Sequence, residues 1–109
     1  MNSMASSRDI IIQTDRPDDA KKFYTEILGL TLFDDNPAMR GIETGAFRLF
    51  IEPGPYPGPV LEFLVDDVQA TKSRLLSAGC TLEQEIPSLP RCYMRDPFGL
   101  VFNLHQRPR

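Results

Sequence analysis

The chain has no tryptophan, a single histidine and only two cysteines among its 109 residues, and each shortage closes off a class of function. Without an indole there is no Trp platform for stacking a flat aromatic ligand. With His105 as the sole imidazole, a site that holds a divalent ion by several histidines has too few ligands to draw on. Cys80 and Cys92 are too few for a disulfide framework or a cysteine-rich zinc site, so both are expected as free thiols. No sign of charge dominates either: 12 Lys and Arg against 15 Asp and Glu leave a net charge of -3. The basic residues are spread along the chain instead of forming a stripe, which argues against a nucleic-acid partner. No apolar run approaches the roughly 20 residues that cross a bilayer. Residues 1–7 are small and polar, without the apolar stretch of a signal peptide. A cytoplasmic protein with neither a membrane nor a nucleic-acid partner is the expectation.

What is present is an ordinary globular composition, 41% hydrophobic and 25% charged, punctuated by 10 prolines. The β-branched run Ile10-Ile11-Ile12 reads as a strand, and Asp15 ahead of Pro17 opens a helix. Ala20, Phe23, Tyr24, Ile27 and Leu28 recur at helical spacing, which predicts Phe23 and Tyr24 as core packing, and Gly29 follows as a left-handed cap. The helix is expected to end at Leu28. Three short strands follow, at 31–33, 40–44 and 47–52, separated by Asp34-Asp35-Asn36-Pro37 and by Gly45. Pro53, Pro55, Pro57 and Pro59 then alternate with other residues as a polyproline-like spacer, in which Tyr56 is expected to be exposed.

Beyond that spacer the pattern restarts: a strand over 60–65, an acidic helix start at Asp66-Asp67, a helix through Leu75 and Leu76, and Gly79. Offsetting the chain by fifty positions pairs Ala20 with Ala70, Lys22 with Lys72, Gly29 with Gly79, Thr31 with Thr81 and Leu32 with Leu82. This is the mark of an internal duplication. Strands at 81–86, 91–95 and 101–105 complete the second half, the last two joined by the turn Asp96-Pro97-Phe98-Gly99. The predicted organisation is one α+β domain of two βαβββ modules, 8–52 and 60–106, joined by the linker 53–59.

Phe23-Tyr24 followed by Leu28-Gly29-Leu30 resembles the first-helix signature of the vicinal oxygen chelate superfamily, which includes glyoxalases, bleomycin-resistance proteins and extradiol dioxygenases. Asp96-Pro97-Phe98-Gly99 is similar to that superfamily's Asp-Pro-x-Gly turn. The resemblance implies curved mixed sheets around a ligand cavity, helices on the outer face, and a homodimer. A module of about fifty residues buries too little surface to stand alone, so pairing of modules is expected on physical grounds as well.

In the superfamily's enzymes a divalent metal is held by His, Gln or Glu side chains on inward-facing strand positions. Carried across by counting from Gly29, Gly79 and Gly99, those positions fall at Asp9, Val60 and Asn103, and strand parity puts the remaining one near Phe50. Val60 and Phe50 cannot coordinate, and Asn103 offers a weak neutral oxygen. No metal and no cofactor are therefore expected, nor glyoxalase I activity, since the catalytic carboxylate also falls in this set. Strand alternation assigns the cavity face to Asp9, Ile11, Gln13, Arg48, Phe50, Glu52, Val60, Glu62, Leu64, Val101, Asn103 and His105. From these, Asp9, Gln13, Arg48, Phe50, Glu62, Leu64, Asn103 and His105 are the expected ligand-binding residues. Glu62, set in an apolar strand, needs either a ligand or a basic partner such as Arg48. The function that follows is a metal-free small-molecule binder of the bleomycin-resistance kind, although the missing tryptophan counts against bleomycin itself. The rival is a metal-dependent lyase, isomerase or dioxygenase with a non-standard site built from Asp9, Glu62 and His105.

Overall fold

The structure, a computed structural model, describes residues 4–107 and is an α+β fold built twice from the order βαβββ. Residues Arg8–Val60 form one compact unit; of the other described residues, 4–7 and 61–107 form the second. Strand β1 covers Ala5–Thr14, well beyond the predicted Ile10–Ile12, and leads into helix α1, Pro17–Lys22. Pro17 opens that helix, where a missing N–H costs nothing, and Asp18 and Asp19 place negative charge at its positive end. Strands β2 (Thr31–Asp34), β3 (Arg40–Glu43) and β4 (Arg48–Pro53) follow. Their order across the sheet is β2-β3-β4-β1, with β1 and β4 parallel and the other pairs antiparallel.

The scheme repeats with β5 (Val60–Val65), whose residues from Leu61 on belong to the second unit, then α2 (Val68–Ser77), β6 (Thr81–Ile86), β7 (Arg91–Arg95) and β8 (Val101–Gln106). Its strand order is β5-β8-β7-β6, with β5 and β8 parallel. The duplication extends to an irregularity. The β2–β3 ladder slips between Leu32 and Asp34, and the β6–β7 ladder slips between Leu82 and Gln84, fifty positions later. A bulge kept at the same place in both units is a built feature of the frame.

Alternation along the strands separates two faces. In the first unit Ile42, Leu49 and Ile51 form a buried cluster with Ile12, Ala20, Tyr24, Leu30 and Leu32 packed against it. In the second, Val65, Val68, Cys80, Cys92, Met94, Phe102 and Leu104 do the same, with Leu61, Phe63 and Leu75 alongside. These are the helix-covered faces, and the register pairs Asp9 with Arg48 and Ile11 with Phe50 lie on the other side.

Two expectations need correction here. The first helix ends at Leu28 with Gly29 at φ 72°, but its last stretch, Phe23–Ile27, is a π-helix. The Leu28 N–H donates to the Phe23 carbonyl, five residues back. That widened turn breaks the 3.6-residue stripe joining Phe23 to Ile27. Tyr24 reaches the core, while Phe23 is 48% exposed and Ile27 71%. The proline-rich segment, in turn, is not a free spacer. The Gln13 N–H donates to the Tyr56 carbonyl, the Tyr56 N–H donates to Gln13 Oε1, both at 3.0 Å, and the Gly54 N–H donates to the Thr14 carbonyl. Tyr56 is half-buried as a result.

Helix α2 is capped by Asp67, whose side chain accepts from the Ala70 N–H at 3.0 Å. Asp67→Ala is expected to cost about 1 kcal/mol, read as a lower urea midpoint at unchanged slope. Cys80 and Cys92 are both buried free thiols, and burial pushes each up from the usual thiol range. Asp96 adds to this at Cys80 and Glu85 at Cys92. Since the thiolate is the reactive form, native protein at neutral pH should resist dithionitrobenzoate and release two equivalents only in guanidinium.

Candidate functional site

On the helix-free face of the first unit, parallel pairing sets Asp9 beside Arg48. The guanidinium grips the carboxylate with both prongs, Nε to Oδ1 at 2.7 Å and Nη2 to Oδ2 at 2.9 Å. The sequence offered Arg48 as a partner for Glu62; the carboxylate it holds in this bidentate pair is Asp9. Held flat by that fork, Arg48 also lies over two aromatic rings, 5.6 Å from the centroid of Phe33 and 5.4 Å from that of Phe50. The two rings meet edge to face at 5.7 Å and 85°. What brings Phe33 so close is Gly41, which pairs with Phe50 across the β3–β4 ladder. A Cβ at Gly41 would stand 2.5 Å from the Phe33 ring, so only glycine lets the ring rest on the strand. Phe33 remains 46% exposed.

Further along the same face Gln13 and Glu52 are both buried, and Gln13 Nε2 donates to Glu52 Oε1 at 2.6 Å. With Tyr56 donating to the same amide's oxygen, Gln13 fastens the proline-rich segment to β1. Gly54 packs directly on that amide, where a side chain would collide with it.

The second unit carries a different chemistry on the matching frame. Glu62 and Asn103 are register partners on β5 and β8, and Asn103 in turn faces Tyr93 on β7. Glu62 is 8% exposed and Asn103 fully buried. Asn103 Nδ2 donates to Glu62 Oε2 at 3.2 Å, and His105 Nδ1 approaches the same oxygen at 3.7 Å. Asn103 Oδ1 has no hydrogen-bond partner among the described residues. A buried carbonyl in that condition costs about 1–3 kcal/mol until a donor reaches it. Tyr93, 1% exposed, lies under the Arg91 guanidinium at 5.6 Å and accepts a hydrogen bond from Arg91 Nη2 at 3.4 Å. Leu64, the register partner of His105, is half-buried.

The structure thus gathers the predicted residues into small groups: Asp9, Arg48 and Phe50; Gln13 with Glu52; and Glu62, Asn103 and His105. Sequence reasoning missed Phe33 and Gly41 and left Tyr93 undecided. A glycine inside a strand is a signal of close approach, and Gly41 carried it. For Tyr93 the deciding fact is its register with Asn103, which alternation within one short strand cannot supply.

The four positions where the resemblance puts metal ligands can now be tested against their side chains. Both oxygens of Asp9 are engaged by Arg48, and Phe50 and Val60 carry no donor atom. Asn103 contributes only a neutral amide oxygen. Nor do any three His, Cys, Asp or Glu side chains cluster in a metal-holding arrangement among the described residues. A divalent ion that wants three or four anionic or imidazole ligands does not fit this set. No described helix is long and apolar enough to cross a membrane.

Comparison with known proteins bears on the fold. A crystal structure of NAD-dependent benzaldehyde dehydrogenase from Legionella pneumophila aligns with a TM-score of 0.69 at 13% identity, over 99% of this chain and 100% of that one. A glyoxalase/bleomycin resistance protein/dioxygenase superfamily member from Vibrio splendidus 12B01 aligns at 0.53 and 13% identity, over 98% and 100%. A variant of homoprotocatechuate 2,3-dioxygenase from B. fuscum aligns at 0.59 and 16% identity, over 91% of this chain and 31% of that one. At such identities the likeness is one of fold. No curated protein matches the sequence. The profile of the glyoxalase-like domain matches residues 9–105, nearly the whole chain, and the protein therefore belongs to the glyoxalase-like domain family.

Proposed function

We propose that this glyoxalase-like protein is a metal-independent binder of small molecules, acting as a homodimer and holding its ligand against the helix-free faces of its sheets. The observation that carries this reading is the donor set at the four metal positions: an aspartate already gripped by an arginine, two hydrocarbon side chains and one amide. In place of a Lewis acid, those faces offer apolar and aromatic surface beside a few oriented polar groups, the usual composition of a small-molecule site. Phe33, with nearly half its surface open, gives a ligand an apolar platform. Arg48 over Phe33 and Phe50 stiffens that platform, because two hydrogen bonds to Asp9 and two ring contacts leave the guanidinium little freedom.

A second reading, an enzyme with a relocated proton-transfer group, is favoured by one observation, the approach of His105 to the buried Glu62 carboxylate. Such a pair has the residue types of a general acid and base. The two readings differ in their dependence on metal and on His105.

Elemental analysis of untagged protein should find no stoichiometric Zn²⁺, Ni²⁺ or Fe²⁺, and adding these ions should leave the melting temperature unchanged. One equivalent per chain, or a metal-dependent rise in melting temperature that His105→Ala abolishes, would move the assignment to the enzyme. Sedimentation should give a species of twice the 12.3 kDa chain mass.

A further inference from the structure

We propose that Glu62 and Asn103 form a receptor for a protonated amino or amidino group of the bound molecule. The inference rests on the small-molecule reading above and adds the chemistry of the group recognised. Its basis is an imbalance of donors and acceptors around one buried carboxylate. Asn103 Nδ2 donates to Glu62 Oε2, and His105 Nδ1 stands 3.7 Å from that same oxygen, beyond hydrogen-bond distance. Neither reaches Oε1. Asn103, having turned its amide N–H to the carboxylate, is left with a fully buried Oδ1 that accepts nothing among the described residues. Two register partners on adjacent strands thus present acceptor oxygens in excess of donors.

The ligand group that corrects such an imbalance supplies several N–H donors and a positive charge. An ammonium or amidinium does both. A carboxylate or phosphate would set negative charge against Glu62 and bring Asn103 Oδ1 no donor. A hydroxyl would satisfy one oxygen and leave the charge uncompensated. Arg91, the register partner of His105, lies with its guanidinium over the Tyr93 ring and donates to the Tyr93 hydroxyl. At the edge of this buried group the His105 side chain is 39% exposed, against 10% for that of Glu62. A cation held there would be recognised by direction as well as charge, because the Asn103 amide fixes the carboxylate plane.

The test is an amide-resonance titration of the isotope-labelled full chain with benzamidine, benzylamine and benzoate. Benzamidine and benzylamine are expected to shift the signals of Glu62, Asn103 and His105 to saturation, and benzoate to leave them in place. Glu62→Gln keeps the shape and an acceptor for Asn103 but removes the charge, so it should weaken benzamidine binding by about tenfold or more. The native spectrum of that variant serves as the folding check, and the unsubstituted chain with its three probes carries the test if the variant unfolds. The proposal is overturned if benzoate shifts these residues in preference to the amines, if Glu62→Gln binds benzamidine as well as the parent, or if no probe perturbs them. Benzoate binding would leave the small-molecule reading standing, whereas a bound equivalent of metal would remove that reading first.

Discussion

Everything in this protein depends on the parallel pairing of the first and last strands of each βαβββ unit. That pairing sets Ile11 beside Phe50 in the first unit and Glu62 beside Asn103 in the second. The antiparallel neighbour then adds Gly41 and Tyr93 at the corresponding places. Phe50 and Asn103 are therefore equivalent positions in a duplicated frame, each central to three strands and each on the face its helix does not cover. Because side chains alternate with a period of two, a slip of one residue in either ladder would exchange these groups for core hydrophobics. The packed clusters around Ile51 and Leu104 hold the register against that slip.

On one frame the two units carry opposite chemistry. The first fills it with Ile11, Phe50 and an empty Cβ position at Gly41, which Phe33 covers from the bulge of β2. The second fills it with Glu62, Asn103 and Tyr93, and the residue at its own bulge is Glu83, ion-paired to Arg95. The first is thus an apolar and aromatic surface stiffened by an ion pair, the second a polar cluster with an acceptor to spare. Neither offers what a divalent ion requires. The chain shares the family's fold, but the side chains at the positions where the resemblance puts metal ligands do not suit a divalent ion, and fold alone does not carry function.

Electrostatics supports this frame chiefly by fastening the connections. Arg40, its side chain 11% exposed, joins Asp18 on α1 to Asp35 after β2, and Lys21 reaches Asp35 as well. Hydrogen bonds from Lys21 and then Arg40 hold the Asp35 carboxyl below its usual range. Gln106 performs a similar task in the second unit: its amide oxygen accepts from the Val68 N–H, and its amide nitrogen donates to the Asp66 carbonyl, tying the end of β8 to the start of α2.

The sequence by itself determined the order of elements, both helix starts, the two glycine caps, the fifty-residue repeat and which residues of β1, β4, β5 and β8 share a face. All of these follow from local rules: a proline or aspartate at a helix start, a left-handed glycine at its end, and a side-chain period of 2 in strands. Only the tertiary structure decided that Phe23 faces outward, that Tyr56 is fastened to Gln13, that Arg48 grips Asp9, and that Asn103 leaves one oxygen unsatisfied. The physical reason is the same in each case. A π turn, a folded-back loop, a choice between carboxylates and a hydrogen-bond deficit are settled by competition among groups distant in the chain, which no local spacing encodes.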